Sequence, residues 1–528
     1  MKRLLTLLPL LAPLAGIAGI SSGTLSAYIA RFNADDEELY ANAISNAQAE
    51  KFLAENVPLF ECPDEDIERT YYFRWWTYRK HLRKTPEGWI VTEFLPDVQW
   101  ACAYNAIVCA AGHHIMEGRW LRKNAFLDDY ARFWLKGSGA KHKMTYTSWP
   151  AFALAERAKV TGDKGVLREL YDQLVSNVRL WDQLYGRTPP GFGGDVRLAW
   201  TLDNREGSEI SCGGHGFRPL INSVLWGEAA TLARLGREFG KDEAAAFCSE
   251  FAERYERSIK KAIWHVGRQS FTVLATNGVH RTVRELHGFM PWYVGMPLDG
   301  HEGAWRDFMD SEKGFFGKFG LTVPERCAPG FTLSYKGHEC QWNGPSWPFA
   351  TSFTLSAMAN ALHARLPVPV SAADYVKCMR QYAAQQRLTR EDGKVVPWIY
   401  ENLNPDTGDW IARTMLIRAG RKLPERGKDY NHSTYCDLVI SGLVGVVPQD
   451  GAALAVDPLF PADWKYLALE NVRYHGHDVS VRWDPSGARY GGRKGFSVIV
   501  DGALAAWADT PSRLVVRLDC CGHKGNMR

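Results

Sequence analysis

The sequence predicts a large all-α body of paired helices followed by a small antiparallel β-domain. Two observations carry this. From about Ala34 to Val447 apolar residues recur at spacings of three and four, and after Pro448 short β-rich runs take over. Length and composition agree: 528 residues, 46% hydrophobic and 23% charged, suffice for a large core. The formal net charge is +4, with acids and bases interspersed and no basic stripe, which argues against nucleic acid as a partner.

The chain opens with Lys2 and Arg3, an apolar run from Leu4 to Ala15, and small residues around Gly16 to Gly19. This is the grammar of a signal peptide, read as residues 1–22, and implies a secreted, periplasmic or secretory-pathway protein. An uncleaved membrane anchor is the alternative, because the apolar run nearly reaches Ile20. The eleven cysteines include no C-x-x-C pair, so zinc-finger and redox-motif readings fail.

The helical body is read as residues 34–447. In "INSVLWGEAATLARLGREFG", Leu225, Ala229, Leu232, Leu235 and Phe239 line one face, and Gly240 supplies a stop. Phe247, Phe251, Tyr255, Ile259 and Ile263 follow at i+4 spacing. Similar segments follow Ala101, Trp149, Val166, Trp347 and Ala372. No fixed-period repeat appears, which disfavours a solenoid. Beyond it, "VSVRW", "FSVIVDG" and "RLVVRL" read as strands of a β-domain over 448–519, and the tail 520–528 is expected to lack structure.

The connecting loops carry the functional signal. "YYFRWWTYRKH", "TEFLPDVQW", "ECQWNGPSWP", "YENLNPDTGDW" and "KDYNHSTYCD" mix aromatics with carboxylates, amides or His, while "WTLDNREGSE" is acidic with one aromatic. Gathered at one end of a helical barrel, such loops make an aromatic-lined pocket suited to sugar rings. Asp203 taken alone reads as a turn or N-cap residue, and Glu401 as a surface residue before the Asn404-Pro405-Asp406 turn. As a pair in aromatic loops of one scaffold they are what glycoside hydrolysis needs: an acid for the leaving oxygen, and a base or nucleophile. Trp342 and Trp347, on either side of Asn343-Gly344-Pro345, are candidate walls of a sugar subsite. Asp429, Asn431, His432 and Asp437 match no metal-ligand spacing, and His113 and His114 diverge on a helix, so no metal or cofactor is expected. No phosphate loop, G-x-S-x-G elbow or H-E-x-x-H is present.

Taken together, "LDNREGSE", "GFRPLINSVLWGEAATLARLG", "QWNGPSWP" and "ENLNPDTG…DYNHSTYCDLVISGLVG" resemble the (α/α)6-barrel glycoside hydrolases. The nearest group is the mannosylglycerate-hydrolase-like set, related to glycoside hydrolase family 63 and to trehalases. The resemblance spans about Glu61 to Pro448 and is most specific in the loops. It implies a six-hairpin toroid, inverting and exo-acting hydrolysis of an α-linked glucose- or mannose-like sugar, Asp203 as general acid and Glu401 as general base. Glu206 and Glu209 remain rival acids. Arg205, Trp342, Asn343 and Trp347 are the expected sugar contacts, with Tyr72, Trp75, Trp76, Asp97, Trp100 and His432 as further candidates. The relatives' early F-x-W-D segment has no clean match, since "YYFRWW" and "LPDVQW" both depart from it. A lyase or epimerase on the same barrel, and a non-catalytic carbohydrate-binding protein, are the alternatives. An acting His432 with a dispensable Glu401 marks the former; sugar binding without turnover marks the latter.

Overall fold

Six connections rich in Gly, Pro and Trp each lead into a helix buried on nearly every side. These helices are Ala111–Gly118, Pro150–Thr161, Pro219–Phe239, Met290–Tyr293, Pro348–His363 and the π-helix Leu438–Leu443. In the computed structural model, which describes residues 19–423 and 425–518, each packs on the next. The ring closes where Glu117 accepts hydrogen bonds from the backbone N–H groups of Tyr435, Cys436 and Asp437, and Arg119 pairs with Asp437 at 2.7 Å. Three of these helices start with proline at the first position, where its fixed φ suits the helix and its missing N–H costs nothing.

Amphipathic helices form the outer layer. Glu65–Tyr78, Phe126–Leu135, Gly165–Tyr185, Asp242–Ala262 and Ala372–Gln385 pack outside the ring. In Asp242–Ala262 the buried residues Phe251, Tyr255 and Ile259 follow the i+4 spacing read from the sequence. Gly240, at φ 71°, ends the preceding helix in the left-handed region. Residues 294–347, which take the sixth outer place, have a 3-10 turn at Glu302–Trp305 and no α-helix.

The toroid is not all-α. Antiparallel hairpins interrupt it, among them Leu82–Thr85 with Gly88–Val91 and Arg387–Thr389 with Val395–Pro397; Gly186–Arg187, Leu198–Thr201 and Gly216–Phe217 form a three-stranded sheet. Strands of two to four residues inside loops leave no readable period, which is why helical patterning alone missed them.

The C-terminal region consists of two antiparallel sheets. The larger runs Leu59–Glu61, Leu467–Tyr474, His477–Asp484, Gly495–Val500, Ala503–Ala508; the smaller runs Val446–Pro448, Ala453–Val456, Leu514–Arg517. One edge strand therefore comes from ahead of the barrel and another precedes residue 449, so the two parts are stitched together. The proposed tail and most of the leader lie outside the described residues. Ile20, inside the segment read as a leader, is buried, and its N–H donates to Glu470 Oε2 at 3.0 Å. Among the described residues all nine cysteines are free thiols, and no helix is long and apolar enough to cross a membrane.

Candidate active site

The loops that precede the inner helices gather at the N-terminal mouth of the ring, and three glutamates face one another there. Glu209 lies in the loop before Pro219–Phe239, Glu401 and Tyr430 in the segment before the π-helix, and Glu93 in the loop after strand Gly88–Val91. Burial, then the charges of Asp203 and Glu401, pushes the partly buried Glu209 carboxyl up to about 7. Burial also pushes Glu93 up to about 8, with Glu401 and Glu209 adding to the rise and a hydrogen bond donated by the Tyr430 hydroxyl opposing it. Glu401 is buried and raised above the ordinary carboxylate range by desolvation, held back by Arg426 and by the Cys340 thiol. Arg426 Nε donates to Glu401 Oε1 at 3.3 Å and its Nη2 to Glu339 Oε1 at 2.8 Å. Cys340 Sγ donates to Glu401 Oε2 at 3.4 Å.

The acidic stretch that holds Glu209 folds as a 3-10 turn, Asp203–Glu206, closed by Gly207 at φ 65°. A side chain at Gly207 would strike Cys109 Sγ at 2.7 Å, so glycine is required both for conformation and for space. The three acids of the stretch have different fates. Glu206 is fully buried against Arg218, 2.6 Å from its Nε, and accepts the Ile221 N–H at 2.9 Å, so it anchors the loop to the helix below. Asp203 is buried and engaged as an acceptor: Asn204 N–H at 2.8 Å on Oδ1, and Ser211 N–H at 3.1 Å and Oγ at 3.2 Å on Oδ2. Glu209 keeps its carboxyl partly buried and within reach of the charges of Asp203 and Glu401. It is followed by Ile210 at φ 58°, a conformation a β-branched residue adopts only under constraint.

Other residues singled out in the sequence divide. Trp100, 47% exposed, stands over the Arg426 guanidinium at 5.0 Å, on the rim of the site. His432 is buried 3.9 Å from the Tyr430 ring, with its imidazole driven well below its ordinary range by desolvation and neighbouring His113. Trp342 and Trp347 stack on each other at 4.1 Å and 10° and are 2% and 3% exposed. No ring fits between them, so they brace the loop instead of sandwiching a sugar. Asn343 holds that loop by accepting the Thr332 N–H at its carbonyl, 2.9 Å. Arg205 turns away from Asp203 and donates to the carbonyls of Met144 and Thr145 at 3.3 and 3.0 Å.

Four candidates lie elsewhere. Asp97 points outward, its side chain 78% exposed and paired with Arg83 at 2.8 Å. Tyr72, Trp75 and Trp76 belong to the outer-layer helix Glu65–Tyr78. Tyr72 bonds Phe60 through both O–H and lone pair, Trp75 packs edge-on to Tyr71 and Tyr78, and Trp76 donates to Asn33 Oδ1 at 2.8 Å. Their helix packs under Ser22–Ala34, and Trp76 also lines a small cavity with Asp36, Trp398 and Lys428. Sequence reasoning passed over Glu93, Tyr430, Cys340 and Arg426. The first three lay in loops already conspicuous for their aromatics, but only the fold tells an inward Glu93 from an outward Asp97 four residues on.

The description "Mannosylglycerate hydrolase MGH1-like glycoside hydrolase domain" matches residues 103–433, and "Glycosyl hydrolase family 65, C-terminal domain" matches residues 449–503. A solved structure named sialidase is 35% identical with a TM-score of 0.84, and the match covers 94% of this chain and 45% of that one. A family 78 rhamnosidase from Bacillus sp. GL1 is 12% identical with a TM-score of 0.55, covering 84% of this chain and 41% of that one. The chain thus spans less than half the length of either. With the family match extending over most of the chain and all but one of the facing carboxyls inside it, this protein belongs to the mannosylglycerate hydrolase MGH1-like glycoside hydrolases.

Proposed function

We propose that the protein cleaves an α-linked, glucose- or mannose-like sugar from the end of a glycoside with inversion, Glu401 acting as general base and Glu209 as general acid. The observation that carries this is the pair itself: two carboxyls on separate loops at one mouth of the toroid, with the charge of Glu401 helping to raise Glu209. An acid must hold its proton near neutral pH and a base must be ionised there. Glu209, at about 7, suits the first role. Glu401, with a guanidinium and a thiol on its two oxygens, suits the second. Asp203, the acid implied by the family resemblance, has both oxygens occupied by donors of its own loop. We assign it instead to raising the proton affinity of Glu209, and its acid role is the alternative to test.

A neutral sugar fits the charges better than an acidic one. The groups around the site are Glu93, Glu209, Glu401 and Asp203, while Arg426 is already held by Glu339 and Glu401. A sugar carboxylate calls for an open guanidinium fork. On this reading the sialidase name of the 35% identical structure does not carry over to the substrate of this chain. Export belongs to the same proposal, rests on the Lys2–Gly19 segment, and is tested by N-terminal sequencing of the mature protein.

The test is a screen of α-linked disaccharides and aryl α-glycosides, neutral and acidic, against wild type, Glu401→Gln and Glu209→Gln. Hydrolysis of a neutral α-glycoside that drops about 100-fold or more in both variants supports the reading. Turnover that survives in Glu401→Gln, with activity lost on changing Tyr430 or His432, would favour a lyase or epimerase.

A further inference from the structure

One segment touches both proposed catalytic residues, Glu401 at its carboxylate and Glu209 at its backbone. At its far end Trp342 N–H donates to the Glu209 carbonyl at 3.1 Å. At its near end Glu339 shares Arg426 with Glu401, its carbonyl accepts Asn402 Nδ2 at 2.9 Å, and Cys340 donates its thiol proton to Glu401 Oε2. The segment is itself rigid. Cys340 N–H bonds His338 Nδ1 at 3.0 Å, Gln341 Nε2 donates to the carbonyls of Lys336 and His338, and the Gln341 carbonyl accepts Trp347 Nε1 at 2.8 Å. The stacked indoles close it from behind.

We propose that this strap, Glu339–Trp342, fixes the position of the base relative to the acid, and that Cys340 is a positioning residue whose S–H holds Glu401 Oε2. The inference rests on the reading of Glu401 as the base. A cysteine beside an aspartate or glutamate is commonly read as a nucleophile or a metal ligand. Here neither holds: among the described residues no group of three or more His, Cys, Asp and Glu is disposed to bind a metal, and burial beside Glu401, Glu209 and Glu339 keeps the thiol protonated. A protonated thiol is a weak, neutral donor. It orients one carboxylate oxygen and favours the ionised form without neutralising it, as a second cation would. Arg426 on the other oxygen then leaves the carboxylate two fixed contacts and free lone pairs for water.

The consequence is specific. Removing the donor in Cys340→Ala takes away one of the interactions that lower the proton affinity of Glu401, so the acid limb of the kcat profile moves to higher pH, by about half to one unit. At pH values on that limb kcat falls roughly three- to tenfold, while KM stays within about twofold because the thiol touches the base and not the sugar. Cys340→Ser keeps a donor and restores the limb. A merely structural role would lower active enzyme without moving the profile and would not distinguish Ala from Ser.

A second readout needs no substrate. The S–H stretch lies in an infrared window clear of other protein bands, and subtracting the Cys340→Ala spectrum isolates this one thiol from the other ten cysteines. The isolated band should be that of a hydrogen-bonded thiol and should shift in Glu401→Gln. A band unmoved by Glu401→Gln, or an unshifted acid limb in Cys340→Ala alongside an inactive Glu401→Gln, overturns the role of Cys340 and leaves the base intact. Full activity of Glu401→Gln overturns the reading of the base itself, and the infrared band still decides whether the thiol bonds the carboxylate.

Discussion

Replacing Asp203 with asparagine separates the two assignments of the acid. The carboxyl of Glu209 stands at about 7, raised first by burial and next by the charge of Asp203. With that value about 90% of the molecules carry the acid's proton at pH 6, against about 3% for an ordinary glutamate at 4.5. At pH 8 the fraction is about 9%, so the rate at pH 6 should exceed that at pH 8 about tenfold on the alkaline limb. Asparagine keeps the shape and an acceptor for one of the two sides, Asn204 or Ser211, and removes the charge. A like charge at this range is worth about 1 kcal/mol, which lowers the limb by about 0.7 pH unit. The ratio of rates at pH 6 and pH 8 should then rise to about 30, with kcat at pH 5.5 nearly retained. The assay is kcat against pH on whichever aryl α-glycoside the protein hydrolyses, with leaving groups from phenyl to dinitrophenyl. The reasoning is refuted if Asp203→Asn abolishes the alkaline limb and activity returns only with dinitrophenyl as leaving group. That pattern would make Asp203 the acid.

Two further outcomes follow from the same geometry. Glu206→Ala leaves the Arg218 guanidinium buried and unpaired, so unfolding by denaturant should show a loss of about 3–5 kcal/mol; a loss below about 1 kcal/mol would mean the pair is not closed as described. His81, His113 and His114 are each held down to about 3 by burial, below the ordinary 6.5, so the unfolded chain binds protons first. Their contribution is fully present above about pH 6.5 and is lost as pH falls toward 3. Tm should fall across that window, and less steeply in His113→Phe, which removes one of the three titrating groups and leaves a ring between Trp149 and Phe349. A slope identical to wild type would show that His113 is not a source of it.

The helical body was legible because its outer helices are amphipathic: the i+4 row Phe251, Tyr255, Ile259 is a physical stripe and therefore a readable one. The inner helices are buried on all sides and lose that period, yet Pro150, Pro219 and Pro348 mark where three of them begin. The C-terminal strands showed where alternation survives, as in Val479 and Val481, and stayed hidden where both faces are covered, as in Leu467–Glu470. At the site, composition found the loops but not the direction of their side chains. Asp97 and Glu93 share a loop, and one faces water while the other is buried beside Tyr430, near Glu209 and Glu401. Within "WTLDNREGSE", spacing could not tell the anchored Glu206 and the donor-bound Asp203 from Glu209, because Arg218, Ser211 and Glu401 come from beyond the stretch. Tyr72, Trp75 and Trp76 are the opposite case, an aromatic cluster whose meaning is packing.

The central claim is inverting hydrolysis by a pair of carboxyls at the N-terminal mouth of the toroid. Proton NMR of the first-formed sugar from an α-glycoside, recorded before mutarotation, tests it most directly. Wild type should release the β-anomer first, and Glu401→Gln should form product at least about 100-fold more slowly; the α-anomer as first product would contradict inversion.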